Sequence, residues 1–349
     1  MSRYLVWCLL LFSVIGTVLV LFFNNFFVIW LCLELSTFSI IPILFLSKSS
    51  RGVEAAFKYF LINVVAALMF LTWGLHLKFC EVYWGFSSSF LTNSYSLVIF
   101  PLSVKLGLAP FHFWFPEVLN GVGFLQGLWI STWQKIAPIY LCCVFCCSSN
   151  LNLFFILGTL SVIIGSWGGL NQTQTRKILG FSSVSYMGWI FCGLPQSLGT
   201  LIFLFSSYFL ISGALFLVFN CCRFYSLFNL LKFISFPLFV GAIICGLLSL
   251  GGIPPFGGFL IKFIPIGLLS LGGNFVFVLP LIFGALISLF FYLRVLFNVG
   301  FLIPPMSIGG LSLYSFTLLS GVSAYFCGWF LSLSVFLFLY LDLALLIVF

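Results

Sequence analysis

Apolar runs about twenty residues long, separated by short polar, Pro or Gly clusters, dominate the chain. A helix needs about 20 apolar residues to cross the hydrocarbon of a bilayer. Read against that length, the breaks define eleven spans: 4–22, 26–46, 56–78, 95–114, 122–147, 151–171, 177–194, 199–221, 236–272, 275–297 and 324–347. The runs are continuous rather than alternating with period two, which excludes a β-barrel. The ninth is too long for one straight crossing, and Gly251-Gly252-Ile253-Pro254-Pro255-Phe256-Gly257-Gly258 interrupts it. From Val299 to Ser320, Pro304, Pro305, Gly309 and Gly310 predict a loop with an interfacial piece, the alternative being a short extra helix over 305–322. The segment Tyr4 to Phe22 is too long for a signal-peptide core and lacks a small-residue cleavage site, so it reads as the first span.

Composition agrees with this pattern and narrows the class. Of 349 residues, 63% are hydrophobic and 5% charged, against about 25% charged in an ordinary soluble domain. A soluble enzyme, a disordered chain and a nucleic-acid binder are excluded as main readings. The fold class expected is an all-α polytopic membrane protein. Phe supplies 49 residues, and a Phe-rich, Lys-poor chain without an import signal fits synthesis inside an organelle with a thymine-rich genome. The cluster Cys142, Cys143, Cys146 and Cys147 ends an apolar run with no His or carboxylate beside it. It reads as small hydrophobes rather than as a metal site.

Charge sets the expected topology. With the N-terminus on side A, Arg3, Lys48, Arg51, Lys58, Arg176, Lys177, Arg223, Lys232 and Arg294 fall on that side, and Lys78 alone on side B. Such asymmetry places the N-terminus on the negative, cytoplasm-like side and, with eleven spans, the C-terminus on the other. The three remaining lysines lie inside spans: Lys105 in the fourth, Lys135 in the fifth and Lys262 in the ninth, while Glu34 lies inside the second. An ionisable group at bilayer depth costs from about 2.5 to over 10 kcal/mol. Lysine loses hydration there, which disfavours its charged form, and a nearby carboxylate restores it. Three lysines against one carboxylate leave an excess that stability alone would remove, so proton exchange explains these residues better than static pairing.

A faint repeat accompanies the buried charges. Gly107-Leu108-Ala109-Pro110-Phe111 resembles Gly252-Ile253-Pro254-Pro255-Phe256 at an offset of 145 residues (252 − 107). The two copies are five spans apart, so successive five-helix units would have opposite orientation. Paired Gly/Pro interruptions in inverted halves point to a transport pathway. A single membrane domain over 1–349 is expected, with inverted repeats at 1–147 and 151–297, each with a broken helix, then a loop and C-terminal helix over 298–349. His112 follows the first break and either relays protons or hydrogen-bonds a freed carbonyl. Glu117 reads as a solvated helix-end group or a proton-uptake site, and His76, Lys78 and Asp342 as interfacial. No phosphate loop, nucleophile triad, haem-ligand pair or iron–sulfur pattern is visible.

Four motifs carry a resemblance: KLGLAPFHFWFPEV from Lys105, WQKIAP from Trp133, NQTQTRKILG with SSVSYMGW from Asn171 to Trp189, and GGIPPFGGFLIK from Gly251. In this order they resemble the subunit 2 family of mitochondrial NADH:ubiquinone oxidoreductase, respiratory complex I, whose members are antiporter-like. The resemblance implies a core membrane-arm subunit of an NADH:ubiquinone reductase, contributing to proton translocation without a redox centre of its own. It implies Glu34 and Lys105 as a charged pair, Lys135 as a middle relay, Lys262 as the terminal titrating lysine and His112 in the first broken helix. NADH, FMN, iron–sulfur clusters and ubiquinone are then expected elsewhere in the complex, with no cofactor and no metal bound by this chain. Its implied partners are other membrane-arm subunits, neighbouring antiporter-like subunits among them, and lipids such as cardiolipin, but no nucleic acid. The implied location is the mitochondrial inner membrane, N-terminus on the matrix side and C-terminus on the intermembrane-space side. The Gly257-Gly258 pair, the Phe richness and Asp342 depart from the family pattern. A free-standing cation/proton antiporter and a purely structural membrane-arm subunit are the alternatives.

Overall fold

The structure is a computed structural model that describes residues 3–46, 49–79, 88–146, 149–195, 197–222, 224–226 and 237–301. Lys48, Cys147, Arg223, Lys232, the stretch 302–349 with the expected last span, and Asp342 lie outside the described residues. In lipid every backbone polar group must be satisfied within the protein, and the described chain is accordingly built of helices.

Two compact units divide the chain, Met1–Ser161 and Val162–Phe349. In the first, α1 (Arg3–Phe22), α2 (Phe26–Leu44), α3 (Ser50–Phe79) and α4 (Ser88–Leu106) pack in sequence, each against the next. Then come α5 (Trp114–Gly121), α6 (Phe124–Ser131), a 3₁₀ turn at Trp133–Lys135 and α7 (Ile136–Cys146); α5 rests on α3, and α7 on α1 and α4. Helix α8 (Leu151–Gly169) leads into the second unit. There α9 (Thr175–Gly193), buried along nearly its whole length, packs with α10 (Leu198–Cys221) and α12 (Gly257–Leu271). Helix α11 (Pro237–Gly251) packs on α10, α12 and α13 (Phe275–Phe301). Six of these helices are long and apolar enough to cross a bilayer by themselves.

The remaining apolar runs are interrupted, and the interruptions have readable causes. Helix α4 stops at Leu106 and α11 at Gly251, and each is followed by a glycine with positive φ, Gly107 at 71° and Gly252 at 78°. Both ends close with the same hydrogen bonds. The Gly107 N–H donates to Val104 O and the Leu108 N–H to Ser103 O; the Gly252 N–H donates to Ser249 O and the Ile253 N–H to Leu248 O. This is the Schellman termination, with glycine in the left-handed position that L side chains resist. Proline alone does not break a helix here, because Pro42, Pro101, Pro265 and Pro280 all lie inside helices.

The fifth span departs from its expected continuous helix. It breaks at Thr132, and Lys135 stands in the 3₁₀ turn between α6 and α7. Pro138 offers no N–H to the Gln134 carbonyl and crowds it. The Thr132 hydroxyl also donates to Leu128 O at 2.6 Å, competing with the helical ladder. Span ten runs on to Phe301, four residues past its expected end.

Candidate functional site

Each buried lysine stands beside a break. In the first unit Lys105 lies one residue before the end of α4, 8% exposed, and its ammonium makes no hydrogen bond with the described residues. Trp114 bridges this break, its indole N–H donating to Val104 O at 3.2 Å, so α5 is tied back to α4. Glu34 is buried on α2, where the Thr37 hydroxyl lies 3.4 Å from its carboxylate. Among the described residues no ion pair within 4.0 Å joins Glu34 to Lys105.

Lys135 is 2% exposed, and its ammonium sits 4.2 Å from the centre of the Phe115 ring. An aromatic face attracts a cation by about 0.5–2 kcal/mol, more when water is excluded. Phe115 also packs beside Gly107, where an added Cβ would lie 3.2 Å from the Phe115 Cβ. One ring therefore touches both the first break and the middle lysine. Lys105 and Lys135 line one cavity together with Thr37, Tyr59, Asn63 and Gln134. Its volume is about 20 Å³, room for one or two waters, since one needs about 10–15 Å³. The Gln134 amide nitrogen is buried without a hydrogen-bond partner among the described residues, so the cavity has polar groups for a water to satisfy.

His112 is 3% exposed within the first break, its ring 4.2 Å from that of Phe113. Glu117 has a specific partner. The Lys58 ammonium lies 2.6 Å from both Glu117 and Glu54, a half-exposed cluster tying α3 to α5. His76 and Lys78 are exposed at the end of α3.

In the second unit Lys262, 6% exposed on α12, reaches back across the break. Its ammonium donates to Gly251 O at 2.8 Å and to the Ser288 hydroxyl at 2.9 Å. The Tyr186 hydroxyl donates to the adjacent Leu250 O at 2.6 Å. The last carbonyls of α11, the negative end of its dipole, are thus met by a phenol and an ammonium. Gly258 has a packing cause: a Cβ there would meet Ser249 O at 1.7 Å.

All three lysines and Glu34, conspicuous in their apolar runs, are buried, whereas the groups around them carry a weaker mark in the sequence. Gln134 and Tyr186 lay inside motifs already singled out, whereas Ser288 is a single hydroxyl in an apolar helix with no local signal. Among the described residues no group of three or more His, Cys, Asp or Glu is placed to hold a metal.

Residues 24–288 match the family described as NADH:quinone oxidoreductase/Mrp antiporter, TM. Among proteins of known name, NADH-ubiquinone oxidoreductase chain 2 of Patiria pectinifera is 40% identical over 307 residues, 87% of this chain and 86% of that one. The chain 2 protein of Pongo abelii is 36% identical over 84% of each chain. The chain belongs to this family. It is a proton-translocating-type membrane subunit of the chain 2 group. Its fold also matches a chain of respiratory complex I from Thermus thermophilus with bound aureothin, at TM-score 0.82 and 23% identity over 99% of this chain and 80% of that one. A chain of the Mrp complex from Dietzia sp. DQ12-45-1b aligns at TM-score 0.72 and 20% identity, over 86% and 61%.

Proposed function

We propose that this chain works in the membrane arm of a mitochondrial NADH:ubiquinone oxidoreductase and carries protons along Glu34, Lys105, Lys135 and Lys262, with His112 beside the first break. The observation that carries this reading is the cavity shared by Lys105 and Lys135. Two buried lysines line one water-sized space that also holds polar side chains, and among the described residues Lys105 is held there by no hydrogen bond. A cation so placed changes position or protonation more easily than one locked in a salt bridge.

In the proposed sequence, redox energy released elsewhere in the complex alters Lys105 relative to Glu34. Lys105 then exchanges its proton with Lys135 through water, the Phe115 face holding the charge on Lys135 while it is there. Lys262 is the terminal group and releases the proton on the side opposite the N-terminus. The matching Gly107 and Gly252 terminations support two inverted repeats, 1–147 and 151–297, within about eleven spans. The N-terminus on the matrix side follows from the basic residues. The redox cofactors and ubiquinone belong to other subunits, and this chain contributes no redox centre. Its neighbours are membrane-arm subunits and lipids.

The test is NADH-driven proton uptake into vesicles holding the assembled complex. Lys135→Met and Lys262→Met are expected to assemble and to lose most of the proton gradient per NADH oxidised. A gradient per NADH equal to that of the unaltered complex in both variants would reject the pathway.

A further inference from the structure

The end of α11 has its acceptors taken up one after another. Leu248 O receives the Gly252 and Ile253 N–H groups, and Ser249 O also receives Gly252. Leu250 O receives the Tyr186 hydroxyl, and Gly251 O receives Lys262. The Lys262 side chain lies over Gly252, where an added Cβ would stand 2.9 Å from Lys262 Cδ and 3.1 Å from Nζ. The second contact differs in kind. The Ser288 hydroxyl, on α13 and 2% exposed, accepts from Lys262 while donating its own proton to Ala285 O at 2.7 Å. A carbonyl can only accept, whereas a hydroxyl can donate as well.

We propose that Ser288 is a positioning residue for Lys262, a hydroxyl rotor that holds the amine at the end of α11 in both of its charge states; this rests on the reading of Lys262 as a proton carrier. In the ammonium form, two of the three N–H groups go to Gly251 O and Ser288 Oγ. The third N–H bond breaks when its proton passes to a water, leaving the electron pair on Nζ as an amine lone pair. The Ser288 hydroxyl then turns from Ala285 O, already part of the helical ladder of α13, and donates to that lone pair. The amine turns about its Cε–Nζ bond to bring the lone pair to Ser288, and one of its two remaining N–H groups faces Gly251 O again. The amine therefore stays in place to take the next proton, without swinging into the apolar space around it.

Among the described residues, the polar groups placed at this site include the Gly251 carbonyl from α11, Ser288 and Tyr292 from α13, and Tyr186 from α9 with Tyr208 of α10 behind it, 5.8 Å from ring to ring. Among the described residues no ion pair reaches Lys262. Loss of the Ser288 acceptor should thus be read directly in how strongly the site holds its proton. Both charge states lose a hydrogen bond, and the ammonium loses the stronger, charge-assisted one, so the proton is released at lower pH.

The experiment compares Ser288→Ala, Ser288→Thr and Lys262→Met in the assembled complex in vesicles, measuring NADH-driven proton transport per NADH against pH. Ser288→Ala is expected to move the alkaline limb of the profile down by about one unit, a tenfold weaker hold on the proton. Ser288→Thr, which keeps the hydroxyl, should restore the limb, and Lys262→Met should lower transport at every pH. A Ser288→Ala profile superposing on the unaltered one, or a Ser288→Thr profile shifted as far as that of alanine, overturns the role of Ser288 while leaving Lys262 as a carrier. Normal transport by Lys262→Met overturns the carrier reading and the rotor with it. Should Ser288→Ala fail to assemble, Ser288→Cys, with its much weaker hydrogen-bonding group, is to show the same shift; a Ser288→Cys profile matching the unaltered one overturns the proposal.

Discussion

Phe115 shows how one side chain couples a backbone device to a charge. Its Cβ flanks Gly107 and its ring faces the Lys135 ammonium at 4.2 Å, so it senses both the first break and the middle lysine. Phe115→Leu keeps the apolar bulk and removes the aromatic face, at a cost of about 0.5–2 kcal/mol to the charged form of Lys135. The expected outcome is a complex that assembles normally but transports fewer protons per NADH, most clearly at high pH, where holding that charge is hardest. A pH titration of vesicle acidification checks it. Gly252 makes a second, independent case. Alanine there would adopt a left-handed conformation at about 1–2 kcal/mol and would press on Lys262. Gly252→Ala should therefore both lower the thermal midpoint of the complex and impair transport, whereas Gly199→Ala, with nothing within 4 Å of the added Cβ, should do neither. Parallel melting curves and transport assays separate the two.

Among the elements, the interruptions distinguish this fold from a plain helix bundle, and they also mark what the sequence made legible. The breaks at 107–113 and 252–256 were readable because glycine and proline occur together there, and glycine supplies the positive φ that ends a helix. The break at Thr132 was not, because its two causes are dispersed: a proline three residues beyond Lys135 and a threonine bonding back to Leu128. Pro42 and Pro280 look no different in the sequence yet sit inside helices, so a single proline could not decide the matter. The same limit applied to the site. Charged residues in apolar runs stand out one by one, but Ser288 gains its meaning only when α13 packs on α11 and α12. The family resemblance implied Glu34 and Lys105 as a charged pair, and among the described residues no ion pair within 4.0 Å joins them. Pro138→Ala would return the missing N–H to the fifth span and favour a continuous helix across Lys135. Lost transport with intact assembly is expected, and unaltered transport would show that the 3₁₀ turn is not needed to present the lysine.

At the scale of the molecule, scarcity of charge lets most ionisable groups among the described residues be placed one by one. Basic residues at span ends bear on orientation, Lys58 joins Glu54 and Glu117 in tying α5 to α3, and three buried lysines with Glu34 are the groups the proposed pathway uses. Outer faces of α1 and α13 carry Trp7, Leu11, Val276, Leu279 and Phe283 exposed. Such surfaces suit lipid or neighbouring subunits, and the chain should migrate with a large NADH-oxidising assembly on native gels. The central claim is that buried lysines, rather than the helical scaffold alone, couple this subunit to proton movement. It is tested most directly by the number of protons moved per electron pair in a complex carrying Lys105→Met, measured after assembly and NADH oxidation have been verified. A ratio clearly below that of the unaltered complex is the predicted result; an unchanged ratio in a fully assembled, NADH-oxidising variant would contradict the account.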